Sequence, residues 1–229
     1  MSASAPAATT GAAPGAVDGR RLRGDRTRRA VLDRAVHAAS VEGLDGLTFG
    51  TLAASVPVNK SGIAGLFGSK EGLQLAVVAH ARDVYRATVV LPAAEGEPGL
   101  ARLWRTVLAW LTYSEERVFD GGCFFRAAAT ELDARTPGPV RDAVVAALRD
   151  WDAYLVRLAT GAVERGELAE GTDVGQLVFT LDAVLDRADL ASVLLADPDA
   201  YARARRAARG LLAAAGADPA ALPADGLDG

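Results

Sequence analysis

The sequence has few of the residues that build catalytic and metal centres. Its 229 residues include one cysteine, Cys123, and two histidines, His37 and His80. A single cysteine excludes an intramolecular disulfide and is typical of a reducing compartment. No cysteines or histidines are paired at metal-ligand spacing, and no glycine-rich phosphate loop occurs. We therefore predict no catalytic residues, no metal and no cofactor. The enzymatic alternative is a reaction that depends on the Cys123 thiol.

Long apolar runs are also missing. Half of the residues are apolar, which is enough for a substantial core. Arg, Asp or Glu nevertheless interrupts every apolar segment before the ~18–20 residues that a membrane span needs. Residues 1–19 lack the apolar stretch of a secretory signal. We predict a cytoplasmic protein without membrane contact, with a disordered leader at 1–19 and a disordered tail at 216–229.

Charge is divided unevenly along the chain, whose net charge is −4. Residues 1–91 hold 11 Lys and Arg against 7 Asp and Glu, whereas residues 92–229 hold 14 against 22. A basic first third before an acidic remainder is typical of a DNA-reading head on a body that does not contact DNA. Chance unevenness on solvated faces is the alternative.

Residues 47–73 contain two short helical segments separated by a break. Thr48 precedes the first segment and Asn59 precedes the second, and both residue types are good N-caps. Two helices joined by a turn of about three or four residues form a helix-turn-helix, which sets its second helix into the DNA major groove. The stretch therefore predicts a DNA-binding motif.

The rest of the chain has helical periodicity without a convincing strand, so we predict an all-α fold. The first helix begins at Asp25 or Thr27, and Ser69 caps a long connecting helix. The domain organisation is a DNA-binding domain with its connecting helix at 20–91 and a ligand-binding and dimerisation domain at 92–215. Helices in the second domain are predicted at about 100–117, 122–134, 139–165, 173–195 and 198–215.

Large apolar residues in the second domain predict a cavity for a small apolar effector, although plain core packing explains each of them equally simply. The candidate ligand-binding residues are Trp104, Leu108, Leu111, Tyr113, Cys123, Phe124 and Phe179, with Arg126 and Asp182 as candidate polar groups. Apolar stripes on the helices at 139–165 and 173–195 predict a homodimer through a four-helix bundle, with packing inside one chain as the alternative. The stripes are Val140, Val144, Ala147, Trp151, Leu155 and Leu158, then Val174, Leu177, Leu181, Val184, Ala188 and Ser192.

The motifs Val58-Asn59-Lys60-Ser61-Gly62 and Phe67-Gly68-Ser69-Lys70-Glu71-Gly72-Leu73 resemble those of the tetracycline-repressor (TetR/AcrR) family of bacterial regulators. The resemblance implies a homodimer of about nine helices, with a three-helix head, a long connecting helix and a ligand-binding body. It also implies double-stranded operator DNA and a small-molecule effector as partners. The candidate DNA-binding residues are Arg28, Thr48, Asn59, Lys60, Ser61, Gly62, Ala64 and Lys70.

The centre of the motif departs from the family pattern. Pro57 replaces the turn glycine, Ala64 replaces an aromatic residue, and Gly65 or Leu66 replaces the histidine or polar residue just before the phenylalanine. Proline cannot adopt the positive φ that glycine takes at such a turn, so this turn must be built differently. Two hypotheses follow: a ligand-responsive repressor that binds a palindromic operator, or a ligand-binding or interaction protein whose head no longer reads DNA.

Overall fold

The computed structural model describes residues 14–223, with side chains from residue 22 onward. All regular structure in this range is helical, which confirms the all-α prediction. The helices are α1 (Pro14–Glu42), α2 (Phe49–Ala53), α3 (Lys60–Phe67), α4 (Lys70–Tyr85), α5 (Leu91–Ala94), α6 (Leu100–Glu115), α7 (Phe124–Leu132), α8 (Pro139–Glu164), α9 (Val174–Val193) and α10 (Ala200–Ala214). A π-helical segment (Arg86–Val90) joins α4 to α5 without a break. When α4, the π-helical segment and α5 are counted as one continuous helix, the described range contains nine helices.

The caps of the N-terminal helices explain why the chain breaks where it does. Thr48 Oγ1 accepts from the amide of Thr51 at 3.0 Å, and Asn59 Oδ1 accepts from the amide of Gly62 at 2.7 Å. Ser69 Oγ accepts from the amide of Gly72 at 2.9 Å. Each bond satisfies an amide that the first helical turn leaves free. The three caps predicted from the sequence are therefore confirmed.

The structure differs from the predictions at both ends of the described range. Helix α1 begins at Pro14 rather than at Asp25 or Thr27. The Thr27 hydroxyl donates to the carbonyl of Arg23 at 2.9 Å, so it bonds inside the helix instead of capping it. At the other end, Leu222 is fully buried and Trp104 Nε1 donates to the carbonyl of Pro223 at 3.0 Å. The predicted disorder is wrong for residues 14–19 and 216–223, while 1–13 and 224–229 lie outside the described residues.

Helix α6 forms the centre of the body. Leu103, Trp104, Val107 and Leu111 are at most 2% exposed, because α8, α9, α10 and the π-helical segment pack around this helix. The core continues without interruption from α1 of the head into the body. No helix among the described residues is long and apolar enough to cross a membrane.

The apolar stripes on α8 and α9 pack mostly inside the chain. Val144 and Leu155 of α8, and Leu177 and Leu181 of α9, belong to the buried core. These residues are therefore unavailable for a seam between two chains, and the intrachain alternative holds for them. A different face of α9 carries the exposed apolar side chains.

Candidate functional site

The polar residues around α2 and α3 form an exposed surface. Thr48, Asn59, Lys60, Ser61 and Lys70 are all exposed, whereas Gly62 and Ala64 are half-buried. Among the described residues, Lys60 has no hydrogen-bond or ion-pair partner, so its ammonium group is free to meet an anion. Lys70 Nζ already donates to the carbonyl of Asp45 at 2.6 Å. This surface combines free donors with the N-terminus of α3, whose dipole favours phosphate.

Arg28 has a structural role that the sequence did not reveal. Its Nη1 donates to the carbonyl of Leu66 at 2.8 Å, and its guanidinium lies 4.5 Å from the ring centroid of Phe67. These contacts fix the C-terminal turn of α3 against α1. In this structure Arg28 therefore supports α3 from the side of α1, and its assignment as a DNA contact stays a prediction.

The connection between α2 and α3 is longer than a turn of about three or four residues. It spans residues 54–59, and the amide of Val58 donates to the carbonyl of Val56 at 2.8 Å. A hydrogen bond between residues two apart closes a γ-turn, here with Pro57 at its centre. Proline suits this turn when φ is negative. The substitution at the turn glycine is thus accommodated by a different turn.

The middle of α3 offers little for reading bases. A Cβ on Gly62 would lie 2.9 Å from Val58 Cγ1 and 3.1 Å from Asn59 Oδ1, so this position is closed to side chains. A Cβ on Gly65 would meet nothing within 4 Å. Side-chain contacts with base edges supply most sequence readout. On this helix the exposed polar side chains are confined to its first turn, at Lys60 and Ser61.

A joint connects the head to α7 of the body. The Glu131 carboxylate accepts from the amides of Leu44 and Asp45 at 2.6 and 2.8 Å. Gly43 has a φ of +81°, and a Cβ there would lie 2.8 Å from Glu131 Oε2. Glycine therefore permits both the backbone conformation and the close approach. The α1–α2 loop is held directly by the last turn of α7.

Two further contacts strengthen this joint. Arg135, just beyond α7, forms an ion pair with Asp45. Burial opposes ionisation of Asp45, but the hydrogen bond and charge of Arg135 outweigh it and lower the pKa of Asp45. From the head side, Gln74 Nε2 donates to the carbonyl of Leu44 at 2.9 Å. The loop at residues 43–45 is thus bonded from both α4 and α7.

A cavity of about 750 Å³ lies in the body between α4, α7, α8 and α9. Its aromatic walls include Tyr85, Phe125 and Trp151. The ring of Tyr85 meets Trp151 edge to face at 5.3 Å and Phe125 at 5.9 Å between centroids. The volume falls within the range of about 300–1,000 Å³ that is usual for small-molecule sites.

The cavity also carries charge, with five aspartates and three arginines in its walls. Arg82 pairs with Asp150 at 2.5 Å, and Arg126 pairs with Asp186. Asp182 instead accepts a hydrogen bond from Trp151 Nε1 at 2.9 Å. Burial raises the pKa of Asp182, although that hydrogen bond and the charge of Arg126 oppose the shift.

The body of the chain matches a known family model. Residues 99–208 match the family model described as the tetracyclin repressor-like C-terminal domain. The body is a C-terminal domain of the TetR family. The family predicted from the residues around the helix-turn-helix is therefore confirmed through a different part of the molecule. No curated protein sequence matches the chain.

Three solved structures share the fold of this chain. A TetR transcriptional regulator from Chloroflexus aurantiacus is 24% identical with a TM-score of 0.75, covering 84% of this chain and 95% of its own. A regulator from Saccharomonospora viridis in complex with choline is 18% identical with a TM-score of 0.70, covering 82% and 96%. AibR in complex with isovaleryl coenzyme A and operator DNA is 17% identical with a TM-score of 0.58, covering 71% and 85%.

Within this TetR-family body, only Cys123 of the predicted ligand-binding residues lines the cavity. Trp104, Leu108, Leu111, Tyr113 and Phe124 are buried in the core but do not line it, and Phe179 is 72% exposed. Large apolar side chains mark both cores and cavities, so size alone could not separate the two. The candidate polar groups Arg126 and Asp182 do line the cavity.

The lining residues that sequence reasoning missed lie mainly on α4 and α8. Tyr85 falls at the end of α4, directly before the π-helical segment, and Trp151 and Tyr154 lie in the middle of α8. The apolar stripe that contains Trp151 predicted a buried face, but nothing local to the sequence distinguishes a cavity wall from a packed core.

Proposed function

We propose that this TetR-family chain is a homodimeric transcriptional repressor that binds a palindromic operator and is released by a small molecule in the body cavity. The observation that carries the proposal is the joint at Glu131. Helix α7 supplies Phe125 and Arg126 to the cavity and, about one and a half turns later, Glu131 to the head loop. A ligand that displaces α7 therefore acts on the head through one short helix.

The exposed face of α9 supports the homodimer. Phe179 and Leu194 are each 72% exposed, and Leu190 and Val193 lie between them at 39% and 41%. Exposed apolar side chains at this spacing along one helix are typical of an association surface. A twofold axis beside α9 would pair this face with the same face of a second chain. Val156 of α8, which is 37% exposed, extends the apolar surface.

DNA binding is supported by the exposed first turn of α3. A dimer places two such helices on half-sites ~34–36 Å apart, so that limited readout by each head is doubled. The exposure of Lys60 and Ser61 supports contact with DNA, and AibR, which shares the fold, is solved with operator DNA. Release follows if the effector binds better to a dimer whose head separation no longer matches the half-sites.

The test is a titration of labelled DNA from the protein's own upstream region, measured by anisotropy at several salt concentrations. We expect affinity at least about tenfold higher than for scrambled DNA of equal length, with both affinities falling as salt rises. Equal affinity for the two DNAs, with a folded dimer confirmed by light scattering, would refute the repressor.

A second candidate is a ligand-binding protein whose head no longer reads DNA. The empty space around Gly65 and the small side chain of Ala64 favour it. Under this hypothesis the unmodified protein binds both DNAs equally, and restoring the family residues with Pro57→Gly, Ala64→Tyr and Leu66→His creates a preference. If the triple variant gains no preference, these positions are not what limits recognition.

A further inference from the structure

The charges in the cavity wall are not evenly matched. Arg82 is engaged by Asp150, and Arg126 by Asp186 and by Asp189, whose Oδ2 lies 3.5 Å from Arg126 Nε. Asp152 and Asp182 form no ion pair with any described residue. Asp83 and Arg86 of the wall form none either, so among the described residues three unpaired carboxylates stand against one unpaired arginine, and the charge of Arg126 offsets that of Asp182 only in part.

These two carboxylates face the same space. Burial raises the pKa of Asp152, and the neighbouring charge of Asp182 raises it further. Trp151 Nε1 donates to Asp182 at 2.9 Å and fixes one of its oxygens, which leaves the other available. Two like charges in a partly desolvated site are costly unless a cation lies between them.

The aromatic walls add a second, independent preference. Tyr85, Trp151 and Tyr154 all line the cavity, and the Tyr85 ring stands at 89° to Trp151. The π-faces of tyrosine and tryptophan attract ammonium and guanidinium groups. Tyr154 already has the guanidinium of Arg157 at 5.8 Å from its ring centroid.

We propose that the effector is an organic cation, with its charged group between Asp152 and Asp182 and its apolar part against Tyr85, Phe125 and Trp151. This inference rests on the proposed function, because it assigns a ligand class to the same cavity. It replaces the purely apolar effector expected from the sequence. An anion would meet more unpaired carboxylates than arginines in this wall, and a neutral ligand would leave Asp152 and Asp182 without a full counter-charge.

The test uses two probes of nearly equal shape, 3-hydroxyphenyltrimethylammonium and the neutral 3-tert-butylphenol. Each is titrated into the full-length dimer by calorimetry at fixed ionic strength, with tryptophan fluorescence as a second readout. We expect the cation to bind at least about tenfold more tightly than the phenol. Asp182→Asn keeps an acceptor for Trp151 and should remove most of that preference while leaving phenol affinity within about twofold.

The matched control is Asp142→Asn, which removes one carboxylate from the exposed first turn of α8 outside the cavity. It should leave the preference for the cation intact. Equal binding of the two probes, or an unchanged preference in Asp182→Asn, would overturn the inference. Operator affinity, measured separately, distinguishes the two proposals. If the cation binds without changing operator affinity, the proposed release mechanism is wrong but the cation-binding site stands. If only the phenol releases the operator, the proposed cationic effector is wrong but the release mechanism stands.

Discussion

Helix α3 and the body cavity differ sharply in the chemistry they present. Beyond Lys60 and Ser61, the exposed side of α3 consists of alanine, glycine and part of a leucine. The cavity brings charged and aromatic side chains from several helices into about 750 Å³. Few contacts with base edges imply weak discrimination between DNA sequences, whereas a dense polar cavity can discriminate strongly between ligands. On the proposed function, selectivity therefore lies more in the body than in the head.

The largest expected effect is on the rate at which the Cys123 thiol is modified, which reports how tightly the cavity is closed around it. Burial raises the pKa of Cys123 to about 11, and the nearby Asp189 carboxylate adds to the shift. A rise from 9.0 to about 11 leaves about a hundredfold less thiolate at pH 8, and the thiolate is the reactive form. We expect iodoacetamide to modify the native protein about a hundredfold more slowly than the denatured protein, as followed by mass spectrometry.

Cys123→Ser should show no modification in either state, which confirms the assignment of the signal. Raising the pH toward 11 should accelerate the native reaction, because the neutral thiol titrates there. Native and denatured rates within about threefold of each other at pH 8 would show that the cavity is open enough to solvate the thiol.

The joint between the two regions can be broken at Glu131. Glu131→Ala removes the acceptor for the amides of Leu44 and Asp45. Because charge-assisted hydrogen bonds contribute about 1.5–3 kcal/mol, we expect exchange of these amides to accelerate by at least about tenfold. Hydrogen exchange read by mass spectrometry on peptides covering residues 43–47 measures this change.

Glu164→Gln, on the exposed end of α8, is the matched control and should leave exchange at residues 43–47 unchanged. Glu131→Gln retains one acceptor oxygen and should give an intermediate rate. If Glu131→Ala alters exchange equally in every peptide, the carboxylate supports global stability rather than a local joint.

Because α3 has few exposed polar side chains, we expect Lys60 alone to contribute measurably to operator affinity. Lys60→Ala should weaken operator binding by about tenfold and lower the salt slope by about 1, since one phosphate contact is lost. Arg149→Ala removes one exposed positive charge from α8 of the body and serves as the control. An equal loss in both variants would mean that net charge, not the position of Lys60, determines DNA affinity.

Local signals predicted the helices and their caps well but not the cavity. Thr48, Asn59 and Ser69 cap helices through bonds within three residues, so their roles can be read from neighbouring sequence. The cavity depends on which faces of α4, α7, α8 and α9 meet, which is a property of long-range packing. Phe179 shows the consequence, because it is apolar and helical yet 72% exposed.

The joint was equally hidden, for a related reason. Glu131 and Leu44 are separated by 87 residues in the chain. An acidic residue near the end of a helix is normally interpreted as a solvated side chain. The glycine at position 43 was a local hint, since glycine at the end of α1 suits either a simple C-cap or a close approach. The structure shows that both apply.

The smallest expected effect is a difference in stability between alanine substitutions at the two glycines of α3. Gly65→Ala places its Cβ in open space and should stabilise the protein by about 0.5–1 kcal/mol through helix propensity. Gly62→Ala would place its Cβ 2.9 Å from Val58 Cγ1 and beside the Asn59 cap. Disturbing that cap costs about 1 kcal/mol, so we expect net destabilisation in urea unfolding. If both variants are stabilised alike, the first turn of α3 is loose enough to accept side chains. The small residues there would then reflect neither packing nor the cap, and the sparse DNA-facing surface could be enriched without cost to the fold.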